Sequence, residues 1–345
     1  MILICVTLCH LWEIISQNIH ITPKVEDIKM NIILATDDNF VQHCCVTITS
    51  VLKNNPATEF YLFTEGLKES NVLLLDNHVN SLGGHLNICK VDSELVKDFP
   101  MPAYMSSHIS IATYYRLFAA MLLPESVEKA IYMDCDIVVT GSLKGMWNFP
   151  IENFALGAVY QSHEHSEGDE NGRGPHSYSR LGIPHEHGYF NAGVLLMNLK
   201  YWRENAVTDR LFKFIEEHYD IIHAHDQDVL NAVLYSETAV LDPTWNYREH
   251  FMNGKKYTYP VKAAYKLPIS NPCVIHFVSK PKPWQYYCTH PLKSLYYKTI
   301  EDTPFRGFTP KWTWNEYKTY KLIPALKKTI IALDVMNLRK ICRRR

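Results

Sequence analysis

Two aspartates separated by a single residue, Asp134 and Asp136, directly follow the strand-like segment KAIYM. Side chains at the carboxyl end of a buried strand can turn toward one crevice, which is where open α/β sheets bind their ligands. Paired carboxylates supply the oxygen ligands that hard divalent cations such as Mn²⁺ and Mg²⁺ accept. The pair therefore indicates a cation site, and a cation held there would neutralise a diphosphate.

A second Asp-x-Asp triplet, Asp226-Gln227-Asp228, precedes a segment with helical apolar spacing over 229–234. Asp226 stands at the position expected of a helix N-cap, and capping alone would account for its residue type. We therefore interpret Asp226 as an N-cap and assign the cation to the first triplet.

The elements that must position these residues begin at Met30. Short apolar runs predict strands over 31–36, 59–66, 85–92, 129–134 and 154–160. Helical spacing of apolar residues predicts helices over 42–54, 68–80 and 114–122. This alternation is typical of an α/β sheet with crossover helices, whose ligands lie at the carboxyl ends of the strands.

The composition describes a globular chain with an uneven distribution of charge. Of its 345 residues, 47% are hydrophobic and 21% are charged, which excludes a disordered chain. No run approaches the roughly 20 apolar residues of a membrane-spanning helix, so we expect any membrane contact to be peripheral. Residues 306–345 carry 11 Lys and Arg against two acidic residues, and the rest of the chain is acidic. A basic end on an acidic body points to an anionic partner that this end would reach, and the acidic charge of the body argues against nucleic acid as that partner.

Two features bear on the cellular compartment. The nine cysteines form no Cys-x-x-Cys pair and lie mostly in apolar runs, so we interpret them as reduced core thiols of a cytosolic protein. Residues 1–29 include an apolar run that His10 and Glu13 interrupt, and Met30 opens the first strand pattern. We prefer an N-terminal extension with Met30 as the working start, and a signal peptide is the alternative.

Six segments stand out in order along the chain: LATDDN (34–39), SIATYYRL (110–117), IYMDCDIVV (131–139), YFNAGVLLMNL (189–199), HDQDVLN (225–231) and HFVSKPKPW (276–284). In the same order, these segments resemble the retaining glycosyltransferases of family 8, most closely the bacterial enzymes that add glucose or galactose to the lipopolysaccharide core. The resemblance implies that residues 30–290 form a GT-A catalytic domain, an α/β fold with a Rossmann-like mixed sheet flanked by helices. It also implies Mn²⁺, with Mg²⁺ as the alternative metal, and a UDP-glucose or UDP-galactose donor.

The resemblance assigns the metal ligands to Asp134, Asp136 and His276, and a neutral imidazole suits a borderline cation such as Mn²⁺. Lys282 matches the lysine that contacts the diphosphate, and its ammonium would stabilise charge on the leaving group. We interpret Lys280, two residues earlier, as a solvated surface charge. Ser279 departs from the glycine that many members carry at its position, which restricts the approach of this loop to the phosphates.

The positions that hold the nucleotide sugar also carry over from the resemblance. Those around the uridine match Asp37 and Asn39. Those around the donor hexose match Arg116, Asn191, Asp226 and Gln227, whose several donors and acceptors suit sugar hydroxyls, and Asp134 contributes to donor binding as well. The alternatives are an ordinary ion pair for Arg116 and a turn-forming asparagine before glycine for Asn191.

Gln227 is the candidate for the face of the anomeric carbon opposite the leaving group. Because glutamine is a poor nucleophile, we favour front-face transfer, in which the departing phosphate oxygen accepts the acceptor's proton and Gln227 stabilises the cationic sugar. A covalent intermediate on Asp226 is the alternative, and the sequence does not separate the two.

The acceptor is the least transferable part of the resemblance. Gln161 stands where relatives often have an acidic residue near the acceptor. The segment 161–188 is interpreted as an acceptor-facing loop, with a structural zinc site as the alternative because histidines cluster in it. These histidines are His163, His165, His176, His185 and His187.

The region 291–345 is basic and aromatic, which suits the headgroup region of an anionic membrane surface. A solvated helix with a frayed basic tail is the alternative. The aromatic residues are Phe308, Trp312, Trp314, Tyr317 and Tyr320, and the basic ones include Lys311, Lys318, Lys321, Lys327, Lys328, Arg339, Lys340 and Arg343 to Arg345.

The sequence thus predicts a Mn²⁺-dependent retaining hexosyltransferase that moves glucose or galactose from a UDP-sugar to a lipid-linked lipopolysaccharide or lipooligosaccharide core. We expect it in the cytoplasm, peripheral on the inner face of the cytoplasmic membrane. The alternatives are a glycogenin-like self-glucosylating protein and a catalytically silent sugar-nucleotide binding protein. The intact metal and diphosphate positions argue against a silent protein.

Overall fold

The computed structural model describes residues 29–99, 111–160, 178–248, 271–278 and 280–329. Several predictions from the sequence lie outside these residues. They concern the extension before Lys29, Gln161, Ser279, the histidines His163, His165 and His176, and the basic residues from Arg339 onward.

The described residues form a mixed sheet of seven strands with the order β3-β2-β1-β4-β7-β6-β8, and a separate pair made of β5 and β9. The strands are β1 (Asn31–Ala35), β2 (Glu59–Thr64), β3 (His85–Lys90), β4 (Lys129–Met133), β5 (Ile137–Val139), β6 (Leu156–Tyr160), β7 (Phe190–Asn198), β8 (Thr238–Val240) and β9 (Val274–His276). Strands β1 to β4 are mutually parallel where they pair, whereas β7 is antiparallel to both β4 and β6.

Helices cover the sheet. The α-helices are α1 (Val41–Asn54), α2 (Glu69–Ser81), α3 (Ala119–Leu122), α4 (Lys144–Trp147), α5 (Tyr178–Leu181), α6 (Leu199–Glu204), α7 (Val207–Glu217), α8 (His225–Leu234), α9 (Lys293–Ile300) and α10 (Trp314–Tyr317). The 3₁₀ helices are Ser93–Leu95, Ile111–Phe118, His185–His187, Tyr219–Ile221, Tyr235–Glu237 and Pro243–Trp245, and a π-helical turn spans Lys318–Leu322.

Alternate residues of the central strands enter two different cores. In β1, Ile32 and Leu34 pack in a core that also contains residues of α1, whereas Ile33 packs in a second core with residues of α8. Successive side chains of a strand point to opposite faces of a sheet, so both faces of β1 are covered. This double burial explains why the strand has the continuous apolar sequence NIILA.

The predicted α/β class and mixed sheet are confirmed, and the predicted strands and helices form with shifts of a few residues at their ends. The segment predicted as a helix over 114–122 is a 3₁₀ helix, Ile111–Phe118, followed by the short helix α3. The described cysteines are free thiols, and Cys44, Cys45, Cys135 and Cys288 among them are buried, as predicted for core thiols. None of the helices in the described ranges has the length and apolar character needed to cross a membrane.

Candidate active site

Strand pairing brings together the three groups to which the resemblance assigns a metal. Asp134 and Asp136 lie between β4 and β5, and His276 ends β9. Strands β5 and β9 pair antiparallel, with Ile137 opposite His276, so the histidine is set beside the second aspartate. One ligand atom from each of Asp134, Asp136 and His276 lies within 4.8 Å of the others.

The chemistry of these groups fits a divalent cation. The Nε2 atom of His276 lies 3.0 Å from Oδ1 of Asp136 and 3.7 Å from Oδ2 of Asp134. Oδ1 of Asp136 is buried and accepts no hydrogen bond from any described residue. A buried carboxylate oxygen without a hydrogen bond is costly, and a metal ion is one of the partners that relieve this cost. Two carboxylates and an imidazole are ligands that Mn²⁺ accepts.

The backbone of β7 forms one wall of this cluster. A Cβ atom on Gly193 would lie 2.1 Å from Cε1 of His276 and 2.6 Å from Oδ2 of Asp134. No side chain fits at either distance, so a glycine is required where β7 passes the cluster. Gly193 belongs to the segment YFNAGVLLMNL, in which the resemblance gives this glycine no role.

The side chain of Lys282 contacts the cluster of Asp134, Asp136 and His276 through Asp136. Its Nζ atom is 2.6 Å from Oδ2 of Asp136 and donates to the carbonyl oxygens of Phe277 at 2.6 Å and Val278 at 2.8 Å. Burial acts to raise the pKa of Asp136, but the positive charge of Lys282 and the adjacent His276 side chain outweigh it and hold that pKa below its usual range. Asp136 is therefore an anion at neutral pH, as a metal ligand must be. Lys280, by contrast, is exposed.

Packing behind Lys282 fixes the loop that carries it. The ring of Trp284 stacks on His43 of α1, with centroids 3.7 Å apart. The hydroxyl of Tyr297 donates to the carbonyl oxygen of Pro283 at 2.9 Å. Burial lowers the pKa of His43 to about 3, so this histidine packs as a neutral ring.

Arg116 links the two Asp-x-Asp triplets. Its guanidinium is buried, with Nη2 2.9 Å from Oδ1 of Asp134 and Nε 2.9 Å from Oδ2 of Asp226. It also lies over the ring of Tyr132, with Cζ 4.1 Å from the ring centroid. Arg116 thus forms ion pairs with two aspartates, and the ion pair considered as its alternative role is present. Through it, the orientation of Asp134 depends on that of Asp226.

The interpretation of Asp226 as a helix N-cap is wrong. Helix α8 begins at His225, so its N-cap is Ala224 and Asp226 falls inside the first turn. The side chain of Asp226 instead accepts a hydrogen bond from the Thr113 hydroxyl. Burial raises its pKa although the charge of Arg116 acts in the opposite direction. The carboxylate that does accept backbone N–H groups there is Asp228, which bonds those of His223 at 2.7 Å and Ala224 at 2.8 Å.

Asn191 and Gln227 are in contact with each other. Asn191 lies within β7 rather than in a turn, although its Oδ1 accepts the backbone N–H of Gly193 at 3.2 Å. Its Nδ2 donates to Oε1 of Gln227 at 2.9 Å, and the backbone N–H of Ala192 donates to the same oxygen at 3.0 Å. The two side chains assigned to the donor hexose by resemblance thus lie on neighbouring elements, β7 and α8.

Asp37 and Asn39 follow β1, which lies next to β4 in the sheet. Oδ1 of Asp37 accepts the backbone N–H of Asn39 at 2.8 Å and that of Phe40 at 3.2 Å, which shapes the turn before α1. The thiol of Cys135 bonds the carbonyl oxygen of Ala35 at 3.2 Å. Because β1 and β4 are parallel, these residues share the sheet edge with the carboxylate cluster.

The order of the sheet and the carboxylates at its edge define the GT-A class of glycosyltransferase fold. The crystal structure of the galactosyltransferase LgtC in complex with donor and acceptor sugar analogs superposes with a TM-score of 0.69 at 24% identity, over 84% of this chain and 99% of that one. The family described as glycosyl transferase family 8 matches residues 31–288. The chain belongs to glycosyl transferase family 8.

Two curated relatives are similar over most of the chain. General stress protein A of Bacillus subtilis is 29% identical over 81% of this chain and 95% of its own length. The lipopolysaccharide 1,3-galactosyltransferase of Salmonella typhimurium is 24% identical over 80% of this chain and 79% of its own length. Membership of the family makes the chain a glycosyltransferase.

Proposed function

We propose that this glycosyltransferase is a retaining hexosyltransferase that uses a divalent cation, Mn²⁺ by preference, and transfers glucose or galactose from a UDP-sugar. The observation that carries the proposal is the convergence of Asp134, Asp136 and His276, with Lys282 in contact with one of them. The group departing from the sugar is a nucleoside diphosphate, and developing negative charge on it is what a cation and an ammonium stabilise.

Each residue of the cluster has a part in this chemistry. The carboxylates of Asp134 and Asp136 and the Nε2 atom of His276 would hold the cation, which when bound supplies positive charge to the diphosphate. Lys282 adds a second, mobile positive charge, because its flexible stem lets the ammonium move from Asp136 toward a phosphate oxygen. Arg116 keeps Asp134 oriented, with Nη2 2.9 Å from its Oδ1.

The geometry of Asp226 favours front-face transfer over a covalent intermediate. One of its oxygens accepts the hydrogen bond of Thr113, and the other lies 2.9 Å from Nε of Arg116. A nucleophile would have to give up both partners, which stabilise its charge. Gln227 has an amide that contacts the sugar-site asparagine and is uncharged, which suits stabilisation of an oxocarbenium-like sugar rather than attack on it.

For the acceptor we propose the lipid-linked core oligosaccharide of lipopolysaccharide, reached from the inner face of the cytoplasmic membrane. The Salmonella relative, a lipopolysaccharide galactosyltransferase, supports this class of acceptor. The C-terminal region supports membrane contact, since Trp314 is 71% exposed, and Tyr317 and Tyr320 are also exposed beside Lys318 and Lys321. Exposed aromatic rings among lysines suit an anionic headgroup layer.

UDP release tests the proposed reaction. The purified protein is incubated with UDP-glucose or UDP-galactose, with and without lipooligosaccharide, in Mn²⁺, in Mg²⁺ and in EDTA. We expect release that needs the metal and is faster for one of the two donors, with an α-linked product from the α-linked donor by NMR. Metal-independent release contradicts the cation, and a β-linked product contradicts retention.

Membrane contact is tested separately by sedimentation with vesicles. We expect binding to vesicles that contain anionic phosphatidylglycerol and weak binding to vesicles of phosphatidylcholine alone. Replacing Trp314 and Tyr317 by serine should reduce binding without changing UDP release from a soluble acceptor. Equal binding to both vesicle types would contradict the proposed membrane surface.

A further inference from the structure

A continuous run of hydrogen-bonded side chains leads from the candidate cation site to a buried carboxylate beyond the sugar site. Its members, in order, are His276, Asn246, Asn191, Gln227, Tyr189 and Asp228. The donor-site residues Asn191 and Gln227 lie in the middle of this run. Asn246, which joins them to the histidine, has no role in the function proposed above.

Two backbone N–H groups fix the orientation of the amides in this run. The N–H of Ala192 donates to Oε1 of Gln227 at 3.0 Å, and that of Gly193 donates to Oδ1 of Asn191 at 3.2 Å. A backbone N–H only donates, so both side-chain atoms are oxygens and neither amide can be flipped. Asn246 must then present Nδ2 to Oδ1 of Asn191, at 2.8 Å.

This orientation determines the tautomer of His276. With Nδ2 of Asn246 directed at Asn191, its Oδ1 faces Nδ1 of His276 at 2.9 Å. Because an amide oxygen only accepts, Nδ1 carries a proton, and Nε2 is the nitrogen left to offer a lone pair to a cation. That atom is the one 3.0 Å from Asp136. A cation ligand needs this tautomer, with its second nitrogen held by an acceptor.

The hydrogen bonds at the other end of the run have the same donor-to-acceptor direction. Nε2 of Gln227 donates to the Tyr189 hydroxyl at 3.1 Å, and this hydroxyl donates to Oδ1 of Asp228 at 2.7 Å. Asp228 is fully buried and ion-paired with Arg180 at 3.0 Å. Every donor thus points from the histidine toward Asp228, and hydrogen bonds aligned in this way polarise one another.

We propose that Asn246 is a positioning residue that couples the cation site to Gln227. Its oxygen sets the tautomer of His276, and its N–H group sets the orientation of Asn191 and, through it, of Gln227. Asn246 is fully buried and directly follows the 3₁₀ helix Pro243–Trp245. The inference rests on the proposed function, because it concerns the ligand and the sugar residue that this function uses.

The test separates the two hydrogen bonds of Asn246 and measures Mn²⁺ binding without a donor, by electron paramagnetic resonance. Asn246→Leu removes both bonds, and we expect Mn²⁺ affinity to fall about 10- to 100-fold. Asn246→Asp keeps an acceptor for Nδ1 of His276 but places a carboxylate oxygen against Oδ1 of Asn191. We expect this variant to bind Mn²⁺ within a few-fold of the wild type while kcat falls at least about tenfold.

Asn198→Leu is the matched control. Asn198 is buried, donates to the carbonyl oxygen of Ile151 at 3.0 Å and caps α6, at the opposite end of β7 from Asn191. This variant should have a lower Tm and unchanged Mn²⁺ affinity. All variants are measured well below their Tm, with circular dichroism as the check of folding.

The outcomes distinguish the inference from the function on which it rests. A wild type that neither binds Mn²⁺ nor releases UDP overturns both. An active wild type with either Asn246 variant unchanged in Mn²⁺ affinity and kcat overturns the inference alone. Equal losses of Mn²⁺ affinity in Asn246→Leu and Asn198→Leu also overturn it, because they would show a general effect of stability.

Discussion

The ammonium of Lys282 lies 2.6 Å from Oδ2 of Asp136, although 146 residues separate the two in sequence. The contact joins the residue assigned to the diphosphate with a residue assigned to the metal. A cation held by Asp136 would therefore be a neighbour of Lys282 on the same carboxylate. The two positive charges would repel each other, which would favour movement of Lys282 toward an arriving diphosphate.

Lys282→Ala should slow UDP release by about 10²- to 10³-fold, because one stabiliser of the leaving group is lost. Mn²⁺ affinity should be unchanged or higher in the same variant, because the substitution removes a positive charge that competes with the cation for Asp136. Lys280→Ala is the control from the same loop, and its exposed side chain should be dispensable. Steady-state kinetics measures the effect on UDP release, and Mn²⁺ titration measures the effect on metal affinity. Parallel loss of Mn²⁺ affinity and turnover in Lys282→Ala would contradict separate roles.

Asp136→Asn should reduce UDP release by about 10²- to 10³-fold and weaken Mn²⁺ binding, because an amide is a neutral and poorer ligand. The exposed Asp209→Asn is a control for the same change of charge. Release is measured over a series of Mn²⁺ concentrations. Normal turnover of Asp136→Asn at low Mn²⁺ would contradict the assignment of Asp136 as a metal ligand.

Gly193→Ala should abolish Mn²⁺ binding, because the added methyl group would lie 2.1 Å from Cε1 of His276. Gly157→Ala, in the neighbouring strand β6, is the control, since its methyl group would meet a Leu241 side-chain carbon at 3.1 Å, and Leu241 is not part of the cluster. Gly157→Ala should lower the Tm slightly and leave Mn²⁺ binding unchanged. Isothermal titration calorimetry distinguishes the two variants. Full Mn²⁺ affinity in Gly193→Ala would show that the approach of β7 to the cluster is looser than described.

His43 should make the stability of the fold depend on pH below neutrality. Burial lowers its pKa from 6.5 to about 3, so below pH 6.5 the unfolded chain binds a proton that the folded protein does not. Stability therefore falls as the pH drops from 6.5 toward 3, by up to about 1.4 kcal/mol per pH unit. Urea unfolding of the wild type and His43→Phe at pH 7.5 and 5.5 measures the difference. The variant should lose about 1 kcal/mol less than the wild type, and equal losses would contradict a neutral buried ring.

The part of the fold that the sequence predicts well is the part governed by local pattern. Strands β1 and β2 are buried on both faces and therefore have continuous apolar sequences. The carboxylates of Asp134 and Asp136 could be placed at a strand end for the same reason. The antiparallel insertion of β7 beside β4 has no local signature, and the resemblance rather than the pattern predicted the mixed sheet.

The features that the local sequence pattern did not predict depend on contacts between residues distant in sequence. His276 reaches the aspartates because β9 pairs with β5, and only the resemblance pointed to it. The N-cap prediction for Asp226 was wrong because the N-cap of α8 is Ala224, two residues earlier, and because Arg116, remote in sequence, is the charge partner of Asp226. Asn246 lies in a loop with no motif, so its two hydrogen bonds became visible only in the structure.

The central claim is that Asp134, Asp136 and His276 hold one divalent cation beside the diphosphate of a nucleotide sugar. Anomalous diffraction near the manganese edge, from crystals grown with Mn²⁺ and UDP, tests it most directly. The account predicts a single strong peak bounded by these three side chains and by diphosphate oxygens. Bound UDP without a peak there, or a peak held by other residues, would contradict it.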